Sequence, residues 1–150
     1  MDEQLKITGL AEVVLNVADL DRSVDFYSTV LGFRVHSSVS LEEITPDPDG
    51  PPTIVFLTIC ETDTPLGVGG HPQLLALIDY RRHFFARARV TALNVAQSPL
   101  NHIAFEVPPG TLESHEDRLA AFGINTTRMT FPALRASAIF SRIPMATRWS

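Results

Sequence analysis

The sequence predicts an α+β fold built from two related halves, and three observations carry that expectation. Leu100 to Val107 alternates strictly, with Ile103, Phe105 and Val107 on one side and His102, Ala104 and Glu106 on the other. Such alternation belongs to a strand with one packed and one open face. Leu10 to Val17 echoes it: Val13, Leu15 and Val17 face one way, Glu12, Val14 and Asn16 the other, and Glu12 stands where His102 stands in the second copy. A helical pattern follows each strand and stops at a glycine, Asp19 to Leu31 before Gly32 and Thr111 to Phe122 before Gly123. This is a repeat of two copies, not an array.

In chain order, Ile7 to Val17 reads as the first strand. Asp19 is placed to cap the helix after it by accepting a first-turn amide. Leu20, Val24, Tyr27 and Leu31 form that helix's buried stripe at helical spacing, and Gly32 allows the left-handed stop. Phe33 to Ser40 is a second strand, Pro46 to Pro52 a turn-rich loop, and Thr53 to Cys60 a nearly all-apolar third strand in which Cys60 reads as a buried structural thiol. Glu61 to His71 is a glycine-rich loop and Gln73 to Asp79 a fourth strand, so the first half, about residues 5–79, reads β-α-β-β-β. Residues 80–99 read as a connector containing Phe84 and Phe85. The second half, about residues 100–150, restarts with the 100–107 strand and a Pro108-Pro109-Gly110 turn. A helix follows, capped by Thr111 and buried through Leu112, Leu119 and Phe122, and strands are expected over Ile124 to Thr130 and Arg135 to Ser141.

With 150 residues, 45% of them hydrophobic and 19% charged, the chain suits one domain with a sizeable core. No apolar run reaches the ~18 residues of a membrane span, and Met1 to Gln4 opens no signal peptide. The single cysteine allows no internal disulfide, so a cytoplasmic setting is the expectation. A net charge of −5 argues against nucleic-acid binding. Arg81, Arg82, Arg87 and Arg89 form a local basic cluster, read as a solvated face ahead of an anion site.

The run from Leu15 through Asp19, Arg22, Phe26 and Tyr27 to Leu31-Gly32-Phe33 resembles the opening of the vicinal oxygen chelate superfamily, and Asn101 to Val107 resembles the start of its second module. That group includes glyoxalase I, fosfomycin-resistance proteins, extradiol dioxygenases, methylmalonyl-CoA epimerase and bleomycin-resistance proteins. The resemblance implies two βαβββ modules forming a cup-shaped mixed sheet with helices on the outer face. It also implies a divalent metal in the cup that binds neighbouring oxygens of a small substrate and stabilises developing negative charge. By position, Glu12 and His102 become the first-strand metal ligands. Glu12 stands where ring-cleaving members have a histidine, so the set is richer in oxygen and suits manganese, magnesium or zinc better than iron. The resemblance also implies a homodimer.

Each of these residues has a plainer reading. A strand histidine is more often structural than a ligand, and Glu12 alone would be a solvated carboxylate. Asn16 and Glu106 read as pocket lining, and His71 and Gln73, bordering the fourth strand, as further candidates for the cup. His36, His83 and His115 give no signal above surface or loop residues, and Tyr27 reads as core. Three readings stay open: a metal-dependent lyase, isomerase or ring-cleaving dioxygenase, a metal-free binding protein of the bleomycin-resistance kind, and a degenerate protein with no activity.

The tail adds a further expectation. Members of this family usually end the second module with Asp-Pro-Asp-Gly-Asn-x-x-Glu, whose glutamate is a metal ligand. Here Ile143 to Ser150 follows instead. These residues can be encoded as ATC CCG ATG GCA ACC CGG TGG AGC. With the final G of an Arg142 codon in front, the shifted frame reads GAT CCC GAT GGC AAC CCG GTG GAG, which is Asp-Pro-Asp-Gly-Asn-Pro-Val-Glu. The expectation is that a single-base deletion has replaced the end of the chain and put Ser150 in the place of the ligand glutamate, leaving metal binding weak or absent; the plainer alternative is a divergent tail that never held a ligand.

Overall fold

The computed structural model describes residues 10–61, 72–89, 102–132 and 136–142. The chain divides into two units, Met1–Leu93 and Asn94–Ser150. In the first, Glu12–Val17 (β1) leads into Leu20–Asp25 (α1) and a π-helical turn over Phe26–Val30. Arg34–Val39 (β2), Ile54–Cys60 (β3), Gln73–Asp79 (β4) and the short helix Phe84–Arg87 (α2) follow. The strands lie in the order β1-β4-β3-β2, with β1 parallel to β4 and the other pairs antiparallel. The β-α-β-β-β order expected of this half is therefore present. A parallel pair needs a crossover, which α1 begins, and β4, hydrogen-bonded on both edges, carries the most continuous apolar run.

Asp19 caps α1 as expected: its carboxylate accepts the Arg22 N–H at 3.0 Å. Gly32, at φ 79°, and Gly123, at φ 73°, take the left-handed stop at the two helix ends. The single helix expected over Asp19 to Leu31 is corrected, because its second half is wound wider. The Leu31 N–H reaches Phe26 O at 3.3 Å, five residues back. The Ser28 hydroxyl donates to Val24 O at 2.7 Å, a side-chain bond that competes for a carbonyl of the helix ladder. The wide turn buries Phe26, Tyr27 and Val30 together. Tyr27 is 1% exposed, edge-on to Phe26 at 5.3 Å and stacked on Phe33 at 6.0 Å.

The helix packs on β3 and β4. Its buried side chains meet the sheet face carrying Leu15, Val17, Val55, Leu57, Leu75 and Leu77, the last two and Leu57 being 0% exposed. Cys60 is corrected from buried to exposed. It follows a register shift between Thr58 and Cys60, at the end of β3, where the ladder runs out.

The second unit holds Leu112–Ala121 (α3), Thr126–Phe131 (β5) and Ala136–Ser141 (β6), the last two forming an antiparallel two-stranded sheet on which α3 packs. Residues 102–107 keep the expected alternation of burial, His102, Ala104 and Glu106 exposed and Ile103, Phe105 and Val107 half-buried. Where a strand is expected over 100–107, none is assigned to the described residues 102–107. Thr111 occupies the N-cap position of α3 without capping it: its hydroxyl turns back to Pro108 O at 2.7 Å, which leaves the first-turn amides to other partners. Of the expected buried stripe only Leu119 is buried; Leu112 is half-buried, and Phe122 is 48% exposed under the Arg118 guanidinium.

Candidate functional site

Strand register sets the face that α1 leaves open. Side chains paired across neighbouring strands share a side, so three rows cross this face: Glu12–Leu74–Thr58–Arg34, Val14–Ala76–Phe56–Ser37, and Asn16–Ile78–Ile54–Val39. The middle of the face is apolar except for Thr58, and Glu12, Arg34, Ser37 and Asn16 stand at ends of rows. Glu12 is exposed on the edge strand β1 and makes no ion pair among the described residues. Asn16, two places along on the same side, is half-buried. At the far end of Glu12's row, Arg34 pairs with Glu61 on the surface. Between them Thr58 is buried with its hydroxyl unpartnered, on a strand position that the sequence read only as apolar.

Gln73, the first residue of β4, is exposed. Alternation puts it on the side of Leu75 and Leu77, so the period of the strand takes it away from Glu12's row. His71 lies outside the described residues. In the second unit His102 and Glu106 are both exposed on one side of the 102–107 segment. The His102 ring meets Phe140 of β6 edge-on at 6.1 Å, and Phe140 in turn lies 6.2 Å from Phe131. Glu12 and His102 thus belong to different units, each on the open side of its own repeat copy. Among the described residues no three His, Cys, Asp or Glu side chains come together as a metal group.

The basic cluster is largely exposed, as expected of a solvated face, and three of its arginines are also paired. Arg82 Nε donates to Glu42 at 2.9 Å, Arg87 reaches Glu43 at 3.4 Å, and Arg81 pairs with the buried Asp79 and with Ala18 O. The segment after β4 is thereby fastened to the β2–β3 loop. His83, read from sequence as a surface or loop residue, is corrected: it is 5% exposed and its Nδ1 lies 2.8 Å from the buried Thr53 hydroxyl. No sequence pattern marks that contact, because the partners are thirty residues apart. A cavity of about 280 Å³ opens beside this loop, lined by Ser38, Ser40, Asp47 and Gly50 among others. It includes none of the candidate ligands and lies beyond the other end of β3 from Thr58.

The comparisons agree with this architecture. Solved structures share the fold over nearly the whole chain. An integron cassette protein from the mobile metagenome of a Halifax Harbour sewage outfall is 19% identical, with a TM-score of 0.58 over 92% of this chain and 91% of its own. A lactoylglutathione lyase from Agrobacterium tumefaciens is 18% identical, with a TM-score of 0.54 over 93% and 88%. A glyoxalase/bleomycin resistance protein/dioxygenase from Nocardioides is 20% identical, with a TM-score of 0.56 over 95% and 81%. No curated protein matches the chain. Among the described residues no helix is long and apolar enough to cross a membrane. The family model of the Glyoxalase/Bleomycin resistance protein/Dioxygenase superfamily matches residues 9–129, and the chain belongs to that superfamily.

Proposed function

We propose that this chain takes a small oxygen-rich molecule on its open sheet face, in the manner of the superfamily's metal-chelating lyases, isomerases and ring-cleaving dioxygenases, and that it holds the metal weakly or not at all. The observation that carries this reading is Glu12: an exposed carboxylate without an ion-pair partner among the described residues, set at the end of a row on the sheet face turned away from α1. Carboxylate and imidazole suit manganese, zinc, magnesium or iron by donor type. Their number does not, since two donors from separate units fall short of the three of a facial triad. The shifted-frame reading of residues 143–150 accounts for the missing carboxylate. No catalytic step through a metal is derived for this donor set. Filled, such a centre supplies Lewis-acid stabilisation of charge on the bound oxygens.

The accessible apolar side chains of the face, Val14, Phe56 and Ile78, favour a second reading: metal-free capture of a small molecule, as bleomycin-resistance members perform. Metal analysis of the purified 150-residue chain after manganese, zinc or iron loading separates the two. It is run beside a chain in which residues 143–150 are replaced by Asp-Pro-Asp-Gly-Asn-Pro-Val-Glu. The 150-residue chain should retain little metal and the repaired one should gain it, with Glu12→Ala or His102→Ala in the repaired chain removing it again. Full occupancy in the 150-residue chain would end the deficiency reading, and unchanged metal in the folded mutants would end the ligand assignments. If neither chain binds metal, the second reading takes over. A thermal shift with aromatic or antibiotic ligands then tests it, since ligand at a hundred times its Kd adds about 2.7 kcal/mol to stability. A homodimer in the cytoplasm belongs to this proposal, and sedimentation as a monomer at high concentration counts against the dimer.

A further inference from the structure

The contact between Thr53 and His83 is a buried side-chain bond between two pieces of chain that backbone bonds also join, the Asp79 N–H donating to Thr53 O at 2.9 Å. Thr53 precedes β3 and is 0% exposed; His83 precedes α2 in the segment that runs on toward the second unit. Thr53 Oγ1 accepts the Leu41 N–H at 2.9 Å, and the Phe84 N–H donates to Leu41 O at 2.7 Å, so the loop and the segment are stitched on both sides of the histidine. The hydroxyl has one proton to give. Val39 O is 3.5 Å away and already takes the Thr53 N–H at 2.9 Å, whereas His83 Nδ1 is 2.8 Å away. The short contact is therefore best made by a hydroxyl donating to an unprotonated Nδ1.

We propose that Thr53 and His83 form a proton-operated latch: neutral His83 fastens residues 80–89 to the β2–β3 loop, and protonation of the imidazole releases them. A proton on Nδ1 would face the Thr53 oxygen and drive the hydroxyl toward the poorly placed Val39 O. It would also put a charge in a buried place beside the Phe85 ring, 6.2 Å away. The charged groups around the latch are paired among themselves. From its own segment come Asp79, whose backbone oxygen holds the His83 N–H and whose carboxylate holds Arg81, together with Arg82 and Arg87. From the loop come Glu42 and Glu43, which pair with Arg82 and Arg87, and Asp47, whose carboxylate accepts the Asp49 N–H. No carboxylate among them is bonded to the imidazole. Burial lowers the His83 pKa below the ordinary histidine value. The sign follows: the latch contributes fully above the ~6.5 of an unfolded histidine, and its contribution is lost as pH falls from there toward the lowered folded value.

Amide hydrogen exchange in the full chain tests this at pH 7 and pH 5, each rate normalised to its intrinsic value. Protection at Leu41 and Phe84 should fall from pH 7 to pH 5 relative to Leu57 and Leu75, whose protection should stay level. In His83→Gln the side-chain amide oxygen can still accept from Thr53 but does not titrate, so protection should persist at both pH values. Equal protection at the two pH values in the wild type, or the same fall in His83→Gln, overturns the latch. Should that variant not fold, the imidazole titration of His83 in wild type and in Thr53→Val decides. Loss of the donor to Nδ1 should raise the His83 pKa, and an unchanged titration overturns the proposal.

Discussion

The two units start from similar sequence patterns and end differently packed. In the first, β1 finds β4 beside it in parallel, α1 covers the joined face, and a core forms around Leu57, Leu75 and Leu77. In the second, residues 102–107 alternate in exposure much as β1 does, no strand is assigned to them, and Leu119 is the only described side chain that is buried. The difference teaches that alternation specifies a face, not a core: burial in the first unit comes from α1 packing on the sheet face that β1, β4 and β3 share.

Core truncation should give the largest contrast. Leu77→Ala removes a side chain enclosed on all sides and should cost the first unit about 2–5 kcal/mol. Leu119→Ala should cost the second only about 1–2 kcal/mol, because neighbours such as Phe122 are half in solvent and can settle into the space. Urea unfolding followed by hydrogen exchange reports each unit separately. Equal losses would mean that the second unit has a packed core of its own, and the contrast would fail.

Tyr27 should give the next largest effect, again in the first unit. Burial pushes its pKa up to about 12 from 10.0, and its hydroxyl has no hydrogen-bond partner. The unfolded chain gives up that proton first, so stability is intact below pH 10 and is lost as pH rises from 10 toward 12. The loss should approach about 2–3 kcal/mol, the equivalent of a two-unit displacement. Tyr27→Phe should abolish the alkaline loss and leave neutral stability equal or higher, since it removes an unsatisfied buried group. Denaturation of both proteins at pH 8 and pH 11 checks this; an alkaline loss of equal size in Tyr27→Phe would assign it to other groups.

Local chemistry made much of the first unit legible. The apolar stretch from Leu74 to Leu77, the Asp19 cap and the Gly32 stop are each written within a few residues, and the β-α-β-β-β order follows from them. The π-helical turn was not legible, because it depends on where the Ser28 hydroxyl finds a carbonyl. Nor was the exposure of Cys60, which depends on a register shift at the end of β3. The Thr53–His83 contact and the pairing of the arginines with Glu42 and Glu43 join distant positions that no periodicity connects. As for the candidate site, register supports Glu12 and Asn16 on one open side, and alternation supports His102 and Glu106 on another. The sequence repeat alone relates the two pairs.

The two helix starts give the smallest effect and the sharpest comparison, since α1 and α3 occupy the same place in the repeat. The Asp19 carboxylate satisfies the Arg22 N–H at 3.0 Å and places negative charge at the positive end of the helix. Asp19→Ala should therefore cost about 1 kcal/mol. The Thr111 hydroxyl is turned to Pro108 O and satisfies no helix amide. Thr111→Ala should change stability by no more than about 0.5 kcal/mol, the range of ordinary surface substitutions. Thr111→Asp should be stabilising, because a carboxylate there can accept a first-turn amide that the threonine hydroxyl does not cap. Urea midpoints for the three variants measure this directly. A loss of 1 kcal/mol or so in Thr111→Ala would mean that the threonine caps α3 in solution after all, and that the two helices begin alike.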